Sequence, residues 1–153
     1  MAVTIVGPVA DAGAQAGTIL RKLPDWFGIP EAVDRYATDL ATLPTWLVLD
    51  GERAVGFLTI RRHTTVASEL YVLGVLPEYH RRGIGCLLLA QAEDALRDDG
   101  IRLLQVKTLG PSRPSAAYAR TRAFYAAMGF LPLEEIVELW GVDNPCLILV
   151  KCL

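Results

Sequence analysis

Cysteine, histidine and methionine are all scarce in this 153-residue chain, at three, two and two. Cys86, Cys146 and Cys152 are scattered and odd in number, with neither a CxxC pair nor a metal-ligand spacing. That excludes a disulfide-stapled scaffold and the common zinc modules, so no metal is expected, and it implies reduced thiols in a cytoplasmic setting. No apolar run approaches the roughly 18 residues that suggest a membrane span. The N-terminal stretch MAVTIVGPVADAGA has no basic start and no long apolar core, so no secretory signal is read there. An excess of either charge is also missing: the formal net charge is −2 and charged residues make up 21%. Nucleic acid is therefore not an expected partner, and any cationic site must be local.

What the chain does have is apolar material, 52% of it. At this length that suggests a single domain over 1–153. VTIVGPV (3–9) reads as a strand, and residues 11–21 as a helix. PDWFG is a loop before a helix from about Pro30, with Glu31 in its first turn. TWLVLD, a DGE turn and AVGFLTIRRH predict a hairpin. SELYVLGV predicts a strand from about 67 to 75, closed by Pro77. Apolar spacing at Ile84, Leu87, Leu88, Ala92, Ala95 and Leu96 predicts a helix over 83–99, stopped by Gly100. RLLQVKT reads as a strand and SAAYARTRAFYAAM as a helix, with Ala117, Thr121, Phe124 and Met128 on one face. EEIVELW and CLILVKC read as two late strands. The fold class is α/β (α+β), a mixed sheet of six or seven strands with helices on both faces.

The segment LPEYHRRGIG (76–85) carries the chemistry. The helix that begins near Gly83 has no Ser, Thr, Asp or Asn at its start and no acid in its first turn. Its leading amides and the positive end of its dipole are therefore unanswered by the chain. Gly83 and Gly85 allow close backbone approach, and Arg81 and Arg82 add charge. Together these describe a phosphate or pyrophosphate site. Glycine spacing alone is equally consistent with a tight turn beside solvated arginines. No Gly-Lys-Ser/Thr follows, so this is not a P-loop, and a third glycine is missing for a dinucleotide fingerprint. Upstream, Gly74 interrupts the strand. It marks a bulge or a close backbone approach, and the alternative is a packing glycine.

VLPEYHRRGIG resembles the acetyl-coenzyme A loop of the GNAT superfamily of N-acetyltransferases, with His80 where relatives usually carry Gln or Arg. FYAAMGF (124–130) resembles that family's second element, a tyrosine, three intervening residues and then Gly-Phe. The resemblance covers roughly residues 46–150. It implies a GNAT-like sheet with a bulged, splayed central strand. It implies acetyl-CoA as co-substrate, with pantetheine against the backbone of Val75 and Leu76. The pyrophosphate would lie on the amides of Arg81, Arg82, Gly83, Ile84, Gly85 and Cys86. Tyr118 stands where many relatives carry an Asn that contacts pantetheine.

By the same resemblance Tyr125 is the candidate general acid and Glu69 the candidate base, acting through water. His63 is a further proton acceptor by residue type. Cys86 reads as a small packing residue rather than a nucleophile, and Cys146 and Cys152 as core or edge. Trp26, Phe27 and Trp140 are candidates for the acceptor wall, which is expected from segments 23–36, 61–67 and 138–146. The expected activity is transfer of acetyl from acetyl-CoA to a primary amine by direct attack in a ternary complex. A non-catalytic acyl-CoA-binding module of the same fold, or a nucleotide-phosphate-binding α/β protein, are the alternatives. Partners are expected to be a small-molecule or peptide amine, with no membrane. Apolar strand edges near the C-terminus leave a homodimer open.

Overall fold

The structure, a computed structural model, describes residues 2–153. Seven strands are present: β1 (Thr4–Val9), β2 (Thr45–Asp50), β3 (Arg53–Arg62), β4 (Ala67–Val75), β5 (Leu103–Leu109), β6 (Leu131–Ile136) and β7 (Cys146–Cys152). The four helices are α1 (Gly13–Leu20), α2 (Pro30–Asp39), α3 (Ile84–Asp98) and α4 (Ala116–Ala127). A single 3-10 turn, Pro77–Tyr79, follows β4. The strands form one sheet in the order β1-β2-β3-β4-β5-β7-β6. It is mixed: β4 and β5 are parallel, while β1–β2, β2–β3, β5–β7 and β6–β7 are antiparallel.

Packing divides the chain into two compact units. One holds the residues up to Arg61 together with Tyr71–Asp99; the other holds Arg62–Leu70 and Gly100–Leu153. In the first, the β2–β3 hairpin closes through Asp50↔Arg53, and Gly51 adopts φ +62°, a left-handed turn conformation that suits glycine. Phe57, Leu58 and Val48 of the hairpin are fully buried, as are Ile19 and Leu20 of α1 and Leu88 of α3. α3 buries Ile84, Leu88, Leu89, Ala92 and Leu96. Leu87, placed on that stripe by spacing alone, is 48% exposed. The helix stops at Gly100, whose φ of +81° reverses the chain.

In the second unit, β5 runs through the core between two partners. The β4 ladder pairs Ala67–Leu70 with Leu103–Val106, and β7 pairs along the whole of β5. Leu104, Val106 and Cys146 are buried there. α4 starts at Ser115, whose hydroxyl accepts the Tyr118 N–H at 3.2 Å. It is tied to the end of β5 by Arg122, which donates to the Leu109 carbonyl at 2.7 Å. Tyr125 joins Ala117 as its buried residues.

One strand lies elsewhere than expected. β6 is LPLEEI rather than EEIVELW. Pro132 sits inside it opposite Leu149, and the register shifts between Pro132 and Glu134. An edge strand accommodates this, because an amide that faces away from its neighbour is not missed.

Gly74 is a packing glycine, the alternative to the expected bulge or backbone approach, because side chains fill the space beside it. A Cβ there would lie 2.8 Å from Phe57 Cε1 and 3.4 Å from Ile19 and Leu23. Gly74→Ala should therefore lower stability by about 1–3 kcal/mol through overpacking. Phe57→Leu, harmful in the wild-type background, should cost less in the alanine background. Thermal unfolding of the four proteins in a double-mutant cycle checks this.

Candidate functional site

Two groups of polar residues stand out, one in each unit. In the first, β4 ends in the 3-10 turn and the chain enters α3 through residues 80–83. Arg81 (φ +60°) and Gly83 (φ +75°) are both left-handed. For arginine that conformation is strained by roughly 1 kcal/mol or more. Gly83 caps α3 with no side-chain hydrogen bond, and the first turn carries no acid. The first backbone bond into the helix is Leu87 N–H to the Gly83 carbonyl, 3.0 Å. The amides of Ile84, Gly85 and Cys86 precede it and have no intrahelical acceptor. A Cβ at Gly83 would meet nothing within 4 Å, so the space before the helix is open. Arg81 and Arg82 are exposed beside it, and the Arg82 guanidinium lies 5.3 Å from the Tyr79 ring centre. Such a concave run of amides at a helix N-terminus is an anion cradle.

His80 is anchored rather than free: its Nε2 meets the Val75 carbonyl at 2.6 Å, and Trp26 packs edge-on against its ring at 5.8 Å. The side chain thus ties the loop back to the end of β4. The Leu76 N–H donates to the Val55 carbonyl at 2.9 Å, and the Leu76 carbonyl accepts from Tyr79 N–H at 2.8 Å. Leu76 therefore has both of its backbone groups engaged within the chain. Tyr79 is held from below, its hydroxyl donating to Asp50 at 2.5 Å, and that bond raises its pKa. Cys86, expected to pack, is exposed.

The same unit carries a cleft of about 370 Å³ walled by α2 from Ala32 to Asp39 and by Tyr71. At its base the Tyr71 hydroxyl donates to Asp39 Oδ2 at 2.5 Å. Arg61 approaches the same carboxylate oxygen at 3.6 Å and stacks over the Tyr71 ring at 3.9 Å. Burial, and then the hydrogen bond to Asp39, push the Tyr71 phenol up to about 12. The sequence reading missed this group, because Asp39, Arg61 and Tyr71 come from three elements. Of the aromatic wall candidates, Phe27 packs edge-on to Tyr36 at 5.9 Å, and Trp140 is 42% exposed.

In the second unit Glu69 is 4% exposed, a deeply buried carboxylate. Its Oε1 is 2.7 Å from His63 Nε2 and 3.4 Å from Lys107 Nζ. A turn holds His63 in place: His63 N–H and Thr64 N–H both donate to the Ala67 carbonyl, and Thr64 Oγ1 accepts from Val66 and Ala67. The structure thus brings together two candidates named from sequence, Glu69 and His63, and adds Lys107. Cys146 lies in the same field. Burial pushes its thiol up, Lys107 pulls it down and Glu69 pushes it up again.

Tyr125 shows why a tyrosine stands before Gly-Phe with three residues between. Gly129, at φ +93°, turns the chain back so that Phe130 N–H donates to the Tyr125 carbonyl at 3.0 Å and the two rings pack edge-on at 5.4 Å. Burial, with Tyr118 as a lesser contribution, raises the Tyr125 phenol well above its ordinary value. It is therefore a neutral O–H donor at any physiological pH. Tyr118 is half-buried one helical turn into α4.

No group of histidine, cysteine, aspartate and glutamate able to hold a metal is present among the described residues. No helix among them is long and apolar enough to cross a membrane.

Comparison with known proteins gives concordant results. The family model for the Acetyltransferase (GNAT) domain matches residues 42–132. A mycothiol acetyltransferase of Beutenbergia cavernae is 34% identical over 90 residues, which is 58% of this chain and 28% of that protein. The chain thus matches well under half the length of this curated relative. A GNAT-family acetyltransferase from Desulfovibrio desulfuricans superposes with a TM-score of 0.85 at 20% identity, over 99% of each chain. The PaiA N-acetyltransferase of Thermoplasma acidophilum, solved in complex with coenzyme A, superposes with a TM-score of 0.76 at 16% identity over the whole of both chains.

The Tyr71 phenol gives a stability that depends on pH. Its folded pKa, about 12, lies above the 10.0 that is ordinary for tyrosine. The contribution is fully present below pH 10 and is lost as pH rises from there through 12, because only the unfolded chain releases the proton. Urea unfolding from pH 8 upward should show the wild type losing stability relative to Tyr71→Phe once pH passes 10. Parallel curves for the two proteins would count against it.

Proposed function

Since the chain belongs to the GNAT acetyltransferase family, we propose that it moves an acetyl group from acetyl-CoA to a primary amine by direct attack in a ternary complex. The observation that carries this reading is the uncapped first turn of α3 behind a left-handed loop. The amides of Arg81, Arg82, Gly83, Ile84, Gly85 and Cys86 are assigned to the coenzyme pyrophosphate, with the two guanidinium groups on its adenosine side. The backbone of Val75 is assigned to pantetheine. At Leu76 the N–H is already engaged, but the carbonyl, which among the described residues accepts only Tyr79 N–H, keeps a second lone pair for that contact. Tyr118 is assigned a pantetheine contact.

The chemistry requires an ammonium to lose a proton and a thiolate to gain one. Glu69 is the base and Tyr125 the acid. A carboxylate suits the first role, and a phenol kept neutral by burial suits the second. The α2–Tyr71 cleft takes part of the acceptor. A cytoplasmic setting fits the three free thiols. A homodimer fits the exposed apolar residues Leu131 and Leu133 on β6 and Val142 in the loop after it.

The test is coenzyme A release from acetyl-CoA over a panel of spermidine, kanamycin, glucosamine, alanine and an alanine-terminated peptide. Tyr125→Phe should reduce kcat about 100-fold and Glu69→Gln by a similar factor, with the Kd for coenzyme A within about twofold of wild type. Coenzyme A binding without release for any amine would replace the enzyme with a binding module of the same fold. Wild-type turnover in Tyr125→Phe would remove the acid assignment alone.

A further inference from the structure

We propose that His63 is the proton exit for Glu69, a positioning residue that carries the acceptor's proton from the buried carboxylate to solvent. The inference rests on the assignment of Glu69 as the base. Acetyl transfer from an alkylammonium releases one net proton per turnover, and that proton must leave the site. Glu69 receives it but its side chain is only 5% exposed. Among the described residues the carboxylate's Oε1 meets His63 Nε2 at 2.7 Å and Lys107 Nζ at 3.4 Å. An ammonium has no lone pair and cannot accept a proton, whereas an imidazole can. The His63 side chain is 36% exposed, against 5% for Glu69, so it joins the buried carboxylate to water. The turn at 63–67 holds the ring at that distance.

The step balances as follows. An N–H bond of the acceptor ammonium breaks, its electron pair stays on nitrogen for attack on the thioester, and the proton passes to the Glu69 carboxylate. The carboxylic acid then gives its proton to the facing imidazole nitrogen, which starts as the tautomer protonated on Nδ1. The resulting imidazolium releases one proton to bulk water or buffer, and the ring regains its first tautomer by exchange with solvent. Lys107 Nζ, 3.4 Å from the same oxygen, keeps Oε1 oriented between the two. Cys146 is the other titratable group in the field of the pair, with its thiol held protonated by burial.

The decisive experiment uses three variants with acetyl-CoA and whichever amine of the panel turns over fastest. His63→Gln keeps a hydrogen bond to Glu69 but cannot carry a proton. Its kcat should fall about 10- to 100-fold while KM for both substrates and the Kd for coenzyme A stay within about twofold. His63→Ala should be restored by added imidazole in a concentration-dependent way, and Glu69→Gln should not. A His63→Gln enzyme at wild-type rate, or a His63→Ala enzyme indifferent to imidazole, overturns the relay while leaving Glu69 as base. A slow His63→Gln beside a fast Glu69→Gln overturns both, since His63 would then act on the acceptor by itself. Fast turnover in both variants likewise removes both assignments.

Discussion

The first turn of α3 presents amide N–H groups that no side chain caps among the described residues. Every natural helix faces this problem, and most meet it with a serine, threonine or aspartate. α4 in this same protein does so with Ser115. α3 does not, and the surrounding residues make the omission worse rather than better. No acid sits in the first turn, two arginines adjoin it, and the chain adopts a left-handed conformation at Arg81 where glycine would be easier. A loop held in that shape is stabilised from outside itself. His80 reaches back to the Val75 carbonyl, and Tyr79 is fastened to Asp50. These ties hold the loop in that shape, and a loop ordered in advance reduces the ordering that a ligand must impose.

The second unit follows a different logic, that of a buried charge. A carboxylate as enclosed as Glu69 is tolerated only with partners. It has a cation and an imidazole, both on one oxygen. Tyr125 is the complement: it is enclosed among aromatic rings with little to stabilise a phenolate, so it remains a donor.

Much of this was legible in the residues because punctuation and periodicity agreed. β2, β4 and β7 fall where alternation and flanking turns put them, and Gly100 and Gly129 end their helices with positive φ. The cradle at 80–86 was legible through an absence, the missing cap. β6 was misplaced because proline usually signals an end, and nothing local reveals that a strand will be an edge. The Asp39–Arg61–Tyr71 cluster and the role of Lys107 were invisible for a related reason. Their partners are 10 to 38 positions apart in the chain, and only the pairing of β4 with β5 and the packing of α2 bring them together. The anchoring of His80 was hidden too. A departure from the family's residue at that position is a change of side chain that still makes a bond to backbone.

The central claim is that the bare amides of α3 hold a diphosphate. Titration of the 15N-labelled protein with coenzyme A, followed through backbone amide signals, addresses it most directly. The account predicts that Gly83, Ile84, Gly85 and Cys86 show the largest shifts, and that pantetheine, which lacks the diphosphate, leaves those four signals almost unmoved. Unchanged signals at these four residues in the presence of saturating coenzyme A would contradict it.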